Sequence, residues 1–430
     1  KVSDHTIKQD GINELLVKYG KQKNLVVRLK GGDPYVFGRG SEEALYLNDH
    51  NIPFEVIPGI TSPIGGLNYA GIPITTRDVS SSFHVFTGHF KNNNKDKFDF
   101  ESIVNLDGTI VFLMGMKNLE YITKSLIENG MNKDKPVAII QWAGFYKQKS
   151  IKGSLSNIYS KVNESGISSP ALIVIGDVVN MKNKLNYFEK LPLFNKKVGI
   201  TRPSDKNKYL NDKISELGAK PVKIPTIKVK KINQKKLQNE IDNIKKYNWV
   251  VLTSRNAVEV FMDSIKDIRV LQDIKFAVTG KSTKKELFKY KIKADLIPEH
   301  FVQESLIKEL KNVLNKEDKV LVPRSKLARS LLINELEKIC LVKEVKTYTL
   351  EKLKIDLDSE IDYLTFTSPS TFNNLYDQVD KKIISKSKII TIGPITSKAV
   401  KEKGFNVYKQ AKNYTIDGLI SCLKEEKKLW

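Results

Sequence analysis

Residues 198–430 carry one series of short motifs twice, in the same order. The matched segments are KVGITRP with KVLVPR, WVVLTSRNA with YLTFTSPST, and FAVTGKST with IITIGPIT. Strand and helix signals that alternate within a duplicated segment predict two similar α/β lobes, each built on a parallel sheet. A Ser or Thr before each helix is also explained as a plain N-cap, which accounts for each loop singly but not for the recurrence of the set.

The first half is organised around VVRLKGGDPYVFGRG, residues 26–40. Its apolar run, Val26–Leu29, predicts a buried strand that ends at Gly31-Gly32. Asn51–Ile57 predicts a second strand, which ends in the loop Pro58–Ser62. Ligands collect at the carboxyl ends of strands in open parallel sheets, so these loops indicate a binding site. Because neither phosphate-binding fingerprint is present, we expect a ligand that is not held by its phosphates.

The net charge of +23 favours an anionic partner. The excess is lysine spread evenly along the chain, as on solvated faces, whereas seven of the eight arginines lie in glycine, proline or Thr/Ser loops. Arginine binds carboxylates with two parallel N–H bonds, so these loops favour a small polyanion held in clefts. A basic nucleic-acid-binding protein is the alternative, but it predicts a basic stripe interleaved with aromatic side chains, which the even spread does not support.

Two cysteines and five scattered histidines exclude a disulfide framework and give no metal-ligand spacing. The sequence has no apolar run as long as a membrane span and no signal-peptide pattern. We expect a metal-independent, cytoplasmic protein with neither a membrane nor a nucleic-acid partner.

Six segments of the first half resemble a uroporphyrinogen-III C-methyltransferase of the tetrapyrrole methylase family: VVRLKGGDPYVFGRG, PGITS, GIPITTRD, TGH, LMGM and SPALIVIGDVV. The resemblance spans residues 1–185. It implies S-adenosylmethionine as cofactor and two methylations of uroporphyrinogen III to precorrin-2, the branch point toward sirohaem and cobalamin.

The cofactor contacts implied by this resemblance fall on loop residues: Gly31, Gly32, Asp33, Val36, Thr61, Ser62, Met114 and Ala143. A sulfonium ligand needs close backbone approach and carbonyl or amide partners, which such loops supply. Met114 is also explained as an ordinary core residue.

Arg39, Glu42 and Arg77 are the candidates for the tetrapyrrole side of this cleft. The arginines would bind acetate and propionate side chains, and Glu42 would accept the ring proton after methyl transfer. Glu42 is also explained as compensation of the dipole at a helix start.

The first half departs from the family pattern in three places. The family's first strand and glycine-rich loop have no counterpart, its lysine falls at Lys1 or just before it, and Thr76 stands where a His usually precedes the arginine. We therefore expect an incomplete methyltransferase domain, with the alternative that only the second half is active. Methylases of this family are typically dimers, so the resemblance also implies a homodimer through this domain.

The duplicated half resembles uroporphyrinogen-III synthase in its TSxxxV-type and GxxT loops. The resemblance covers residues 197–430 and implies cyclisation of hydroxymethylbilane to uroporphyrinogen III with inversion of ring D. It assigns substrate binding to four hydroxyl side chains, those of Ser254, Thr283, Ser368 and Thr396. It assigns assistance in the departure of the substrate hydroxyl to Tyr348. Tyr348 is also explained as an amphipathic residue at a lobe edge.

The two resemblances together predict an α/β chain, with a tetrapyrrole methylase-like domain followed by a two-lobed uroporphyrinogen-III synthase-like domain. The expected linker is 186–196, one lobe takes 197–228 with 350–430, and the other takes 229–349. Because the product of the second domain is the substrate of the first, we expect a bifunctional enzyme of tetrapyrrole synthesis.

Overall fold

The structure is a computed structural model that describes residues 7–22, 25–89, 98–203, 207–300, 302–357 and 360–425. Contacts divide these residues into two compact units. Unit 1 takes the described residues of Lys1–Val198, Leu210–Pro221 and Ile416–Trp430, and unit 2 takes those of Gly199–Tyr209 and Val222–Thr415. Lys1 itself lies outside the described residues, and the domain bounds expected from the sequence stay a prediction.

Unit 1 contains a five-stranded sheet in the order β1-β2-β5-β3-β4. Its strands are β1 (Phe83–Thr87), β2 (Thr109–Leu113), β3 (Pro136–Gln141), β4 (Lys149–Ser154) and β5 (Ala171–Ile175). β1 and β2 are parallel, whereas β5 is antiparallel to both β2 and β3. The sheet is therefore mixed, not all-parallel as expected for ligand loops at strand ends. The carboxyl ends of β1, β2 and β3 nevertheless lie at one edge of it.

The chain forms helices before, between and after its strands. They are α1 (Gln9–Lys21), α2 (Gly40–Asp49), α3 (Ser62–Ala70), α4 (Phe100–Val104), α5 (Leu119–Glu128), α6 (Ile158–Ser165), α7 (Lys182–Leu185), α8 (Lys208–Glu216), α9 (Gln234–Asp242), α10 (Arg255–Met262), α11 (Lys281–Lys289), α12 (Gln303–Val313), α13 (Leu331–Leu336), α14 (Pro369–Tyr376), α15 (Lys381–Lys386), α16 (Pro394–Glu402) and α17 (Ile416–Lys424). None of the described helices is long and apolar enough to cross a membrane.

The unit 1 sheet is apolar on both faces. Ile110 and Phe112 pack with residues of α4, α5 and α6, whereas Val111 and Leu113 pack with residues of α3. Helices on both faces explain why β2 is a continuous apolar run without polar alternation.

The strands predicted at Val26–Leu29 and Asn51–Ile57 are wrong. Residues 25–30 and 52–61 form no ladder with any described residue. Leu25 and Leu29 are 95% and 85% exposed. An apolar, β-branched run becomes a buried strand only where a neighbouring strand satisfies its N–H and C=O groups, and none of the described segments does so here.

The second half forms two further five-stranded sheets, in the orders β10-β9-β11-β12-β8 and β15-β14-β13-β6-β7. Their strands are β6 (Lys197–Ile200), β7 (Lys220–Lys223), β8 (Ile227–Lys231), β9 (Trp249–Leu252), β10 (Lys275–Val278), β11 (Lys319–Ser325), β12 (Leu341–Lys352), β13 (Tyr363–Phe366), β14 (Lys388–Thr391) and β15 (Val407–Gln410).

The duplication predicts a parallel sheet in each lobe, but the first of these sheets contains one antiparallel strand. β10, β9, β11 and β12 are parallel, but β8 pairs antiparallel with β12. β8 carries the chain into this sheet and β12 carries it out, so the two strands run in opposite directions. In the other sheet, β13, β14 and β15 are parallel as expected.

Candidate functional site

The first candidate site in unit 1 contains the loops 31–36 and 58–62. Gly32 has φ +98°, and a Cβ added to Gly59 would lie 2.3 Å from the carbonyl oxygen of Gly32. Only glycine at position 59 lets the two backbones approach this closely. The two loops predicted at separate strand ends therefore meet, although the strands themselves do not form.

Asp33 joins these two loops. Its Oδ2 accepts the Gly59 N–H at 3.0 Å, and its Oδ1 accepts the Tyr35 N–H at 2.9 Å. The bonds from Gly59 and Tyr35 hold the pKa of Asp33 below its usual range. Asp33 thus remains an acceptor-only carboxylate that orders the site.

Glu43 anchors the segment that leads into Gly31, and sequence reasoning missed this role. Its buried carboxylate accepts bonds from Gln9 Nε2 at 3.1 Å, Arg28 Nη2 at 3.2 Å and Lys30 Nζ at 2.9 Å. Burial by itself raises the pKa of Glu43, but the bonds from Lys30 and Gln9 and the charge of Arg28 outweigh it and lower the pKa. Arg28, expected to bind a ligand carboxylate, is instead paired within the chain.

Helix α3 connects these loops to the sheet edge. Thr61 precedes the helix and Ser62 is its first residue. One turn later, a Cβ added to Gly66 would lie 3.0 Å from the Cβ of Ala143, which follows β3. The structure therefore brings Thr61, Ser62 and Ala143 to one region.

Met114 follows β2 at the same edge of the sheet. It has φ +55° and is 54% exposed, so it is not an ordinary core residue. A left-handed backbone is uncommon for a residue other than glycine, and such residues cluster at functional sites. Val36, in the loop after Asp33, is a second accessible apolar side chain, with 38% of its surface exposed.

Arg39 and Glu42 pair with each other at the start of α2. Arg39 Nε lies 2.9 Å from Glu42 Oε1, and Nη2 lies 2.5 Å from Oε2. Both side chains are half exposed, and Arg39 has φ +57°. Arg77 is exposed at the tip of the turn Thr76–Ser80 and has no hydrogen bond or ion pair with any described residue. The structure does not join Arg77 to the Arg39–Glu42 pair.

The second candidate site lies at the carboxyl ends of β9, β10 and β11 in unit 2. Ser254 caps α10, where its Oγ accepts the Ala257 N–H at 3.1 Å. The Tyr348 hydroxyl lies 2.8 Å from Ser254 Oγ. Tyr348 is only 5% exposed, so it does not occupy an open lobe edge. Burial raises the pKa of Tyr348 against the opposing effect of its bonds with Ser254 and Ser325, and the phenol stays protonated at neutral pH.

Thr283 lies at the same edge, because it is the third residue of α11 and α11 follows β10. It is buried, and its hydroxyl makes no hydrogen bond with the described residues. Ser325, which ends β11, was missed by sequence reasoning. Its signal was its place directly after the strand in KVLVPRS.

Ser368 and Thr396 repeat this arrangement on the other sheet of unit 2. Ser368 caps α14, with its Oγ accepting the Thr371 N–H at 3.3 Å, and Thr396 is the third residue of α16. Thr396 is buried, and its hydroxyl has no partner among the described residues. In the described part of the chain no hydrogen bond joins these two residues to Ser254 or Tyr348. A cleft shared by all four stays a prediction.

Arg324 corrects the expectation that strand-end arginines bind the ligand. It is 2% exposed, its Nε lies 3.2 Å from Glu344 Oε1, and its Nη2 donates to the carbonyl oxygen of Arg329 at 2.5 Å. Burial lowers the pKa of its guanidinium against the opposing charge of Glu344. The guanidinium is therefore used for contacts inside this lobe and not for ligand binding. Its position at a strand end in the sequence does not reveal this burial.

Comparison with known proteins matches the two halves of the chain to two families. Residues 208–421 match the family model of uroporphyrinogen-III synthase HemD, and residues 1–159 match that of tetrapyrrole (corrin/porphyrin) methylases. The porphyrin biosynthesis protein HemD of Ruminiclostridium josui is 36% identical over 98% of this chain and 86% of the relative. A uroporphyrinogen-III C-methyltransferase of Bacillus subtilis is 40% identical over 66% of this chain, which spans 59% of that relative's length.

A solved structure also resembles the first half. Uroporphyrin-III C-methyltransferase from Thermus thermophilus, complexed with S-adenyl homocysteine, is 33% identical with a TM-score of 0.35, over 40% of this chain and 74% of that one. From the sequence matches, the chain belongs to the family of tetrapyrrole-synthesis enzymes that join a uroporphyrinogen-III C-methyltransferase region to a uroporphyrinogen-III synthase region.

Proposed function

We propose that residues 197–430 cyclise hydroxymethylbilane to uroporphyrinogen III with inversion of ring D. The observation that carries this proposal is the contact of 2.8 Å between the Tyr348 hydroxyl and Ser254 Oγ at the carboxyl edge of the sheet. It supplies a protonated phenol, held in place, next to the start of α10. Membership of the family supports the same reaction.

The two hydroxyls divide their hydrogen-bonding roles. Ser254 Oγ accepts from the Ala257 N–H, so its own proton is available to the Tyr348 oxygen. The Tyr348 proton is then free to pass to the substrate hydroxyl, which leaves as water when its C–O bond breaks. Acid catalysis of this kind contributes roughly 10²- to 10⁴-fold.

Orientation supplies the remainder of the catalysis. The linear substrate closes unaided to the wrong isomer, so the protein must hold it in the conformation that inverts ring D. The unpartnered hydroxyls of Thr283 and Thr396, with the N–H groups at the starts of α11 and α16, would bind its carboxylates. These donors hold anions without burying many countercharges.

For the first half we propose S-adenosylmethionine as methyl donor and two methylations of uroporphyrinogen III to precorrin-2. The residues fit such a ligand, because nothing lies within 4 Å of a Cβ added at Gly31, which leaves its backbone open to close approach, and the apolar side chains of Met114 and Val36 are accessible. When bound, the cofactor would supply an electrophilic methyl group. Gly31, Thr61, Ser62 and Ala143 would complete its pocket, which the Asp33 carboxylate orders.

Arg39 and Glu42 would act on the tetrapyrrole. Arg39 and Glu42 hold each other in the unbound site, and a substrate carboxylate would take over the Arg39 guanidinium. Glu42, once released, would accept the ring proton after methyl transfer. Arg77, unpaired at an exposed turn, would bind a second carboxylate arm.

A second candidate function is that only the synthase half is active. One observation favours it: the apolar segments 25–30 and 52–61 have no ladder partner among the described residues. Both segments lead into the proposed cofactor loops, which are therefore held by side-chain bonds to Glu43 and Asp33 and not by a backbone ladder.

One experiment separates these proposals. Hydroxymethylbilane is supplied with S-adenosylmethionine labelled in its methyl group, and the products are analysed for isomer and label. Labelled type III product supports both activities, and unlabelled type III product supports the synthase alone. A type I product formed at the enzyme-free rate contradicts the synthase proposal.

A further inference from the structure

Tyr414 forms an exposed aromatic surface beside the start of α16. A Cβ added to Gly393, the residue before the helix, would lie 3.2 Å from Cδ1 and 3.3 Å from Cγ of the Tyr414 ring. The ring therefore packs against the glycine backbone at a distance that a side chain at 393 would disturb. The rest of Tyr414 is open, because the residue is 63% exposed, and its hydroxyl has no hydrogen-bond partner among the described residues.

Hydrogen-bond donors lie directly next to this ring. The start of α16 has no side-chain cap, and Pro394 at its first position leaves the next N–H groups, those of Ile395 and Thr396, as the unpaired donors of the first turn. Thr396 is only 3% exposed, and its hydroxyl has no hydrogen-bond partner among the described residues. A second apolar side chain, Ile395, is 76% exposed on the same turn.

This combination selects a particular ligand chemistry. An open aromatic face favours a flat ring stacked on it, and an uncapped helix start with a free hydroxyl favours an anion. A pyrrole ring that carries short carboxylate arms has both features, with the carboxylates only a few bonds beyond the ring. An isolated phosphate would leave the aromatic surface unused.

The sequence repeats the spacing in the other half of the duplication. Tyr414 follows Thr396 by 18 residues, and an aromatic residue, Phe301, follows Thr283 by the same number. Phe301 lies outside the described residues, so the inference rests on Tyr414 alone.

We propose that Tyr414 is a positioning residue that stacks on one pyrrole ring of the bilane, while the first turn of α16 and Thr396 bind a carboxylate arm of that ring. This inference rests on the proposed synthase function. Tyr414 takes no part in proton transfer; it limits the orientations from which the chain can close. Its loss should weaken substrate binding and let more bilane cyclise unaided to the type I isomer.

The test compares Tyr414→Leu with Tyr414→Phe and with Tyr408→Leu, a control that removes a 44% exposed tyrosine from β15 of the same sheet. Tyr414→Leu should raise KM about tenfold, with kcat within about threefold, and should raise the type I fraction. Tyr414→Phe keeps the ring and should behave as the wild type. Equal KM and isomer ratio for Tyr414→Leu and Tyr408→Leu would overturn the inference.

A binding measurement keeps this result separate from the proposed function. Uroporphyrin III is titrated into each variant of the full chain and its visible absorbance is followed. Tenfold weaker binding to Tyr414→Leu alone supports the stacking role even if the wild type forms no type III isomer, in which case only the cyclisation proposal fails. Absence of binding to the wild type would overturn the stacking inference, and the isomer analysis alone decides the cyclisation proposal.

Discussion

The Tyr348 hydroxyl and Ser254 Oγ lie 2.8 Å apart although 94 residues separate them in the chain. Ser254 follows β9 and Tyr348 lies on β12, with β11 between the two strands. The long tyrosine side chain spans this distance on the face that also carries the buried core of α10. The position of the Tyr348 phenol therefore depends on the N-cap of α10, a helix that follows a different strand of the sheet.

Replacing Tyr348 by Phe should lower kcat by about 10² while the protein stays folded. The substitution removes only the hydroxyl proposed to donate to the leaving group and keeps the buried ring. Steady-state kinetics with hydroxymethylbilane and isomer analysis check this. A variant with the wild-type kcat would show that the Tyr348 hydroxyl is not the proton donor.

Ser254→Ala should destabilise the chain more than Ser368→Ala, although each removes an N-cap. Loss of either cap costs about 1 kcal/mol. Ser254→Ala also removes one of the two partners of the buried Tyr348 hydroxyl, which adds about 1 kcal/mol. Urea denaturation of both variants measures the difference, and equal values would show that the Ser254–Tyr348 bond contributes nothing net.

Gly59→Ala and Gly31→Ala should separate loop packing from cofactor contact. A Cβ at residue 59 would lie 2.3 Å from the Gly32 carbonyl oxygen, whereas nothing lies within 4 Å of a Cβ at residue 31. Gly59→Ala should therefore lower both stability and affinity for S-adenosylhomocysteine, and Gly31→Ala should lower the affinity alone. Calorimetric titration with thermal unfolding tests this. Equal effects of the two substitutions on stability would contradict the loop geometry.

Glu189 should contribute to the stability of unit 1 at neutral pH and lose this contribution in acid. It lies in the expected linker, and its carboxylate accepts bonds from Lys182 at 2.8 Å, Gln148 at 2.9 Å and Ser150 at 2.7 Å. Burial raises the pKa of Glu189, but these bonds outweigh it and lower the pKa below its usual 4.5. A lowered folded pKa stabilises the protein above about pH 4.5, and this contribution is lost as pH falls through the folded value.

Glu189→Gln should cost about 3 kcal/mol at pH 7, because it leaves the buried Lys182 ammonium without its countercharge. The difference from wild type should shrink on acidification below about pH 4.5. Glu120→Gln, which breaks an exposed pair with Lys124, is the control and should change nothing measurable. A difference independent of pH would refute the ionised pairing of Glu189. Urea denaturation at several pH values gives the answer.

Local signals in the sequence were sufficient for much of the fold and for the loops of both sites. The duplicated loops predicted helices that begin after Ser254 and Ser368, and both serines cap those helices. The apolar runs TIVFL and ALIVI form β2 and β5. These features depend on residues close in the chain, because turn and cap chemistry is decided within a few residues.

Only the tertiary structure decided which residues face a neighbour and which face solvent. Val26–Leu29 has the composition of a buried strand and is exposed, since a strand requires a partner that its own residues cannot provide. Arg324 has the position of a ligand-binding arginine and is buried against Glu344. The Tyr348–Ser254 bond and the Tyr414–Gly393 contact likewise arise from long-range packing, which residue type and spacing along the chain do not specify.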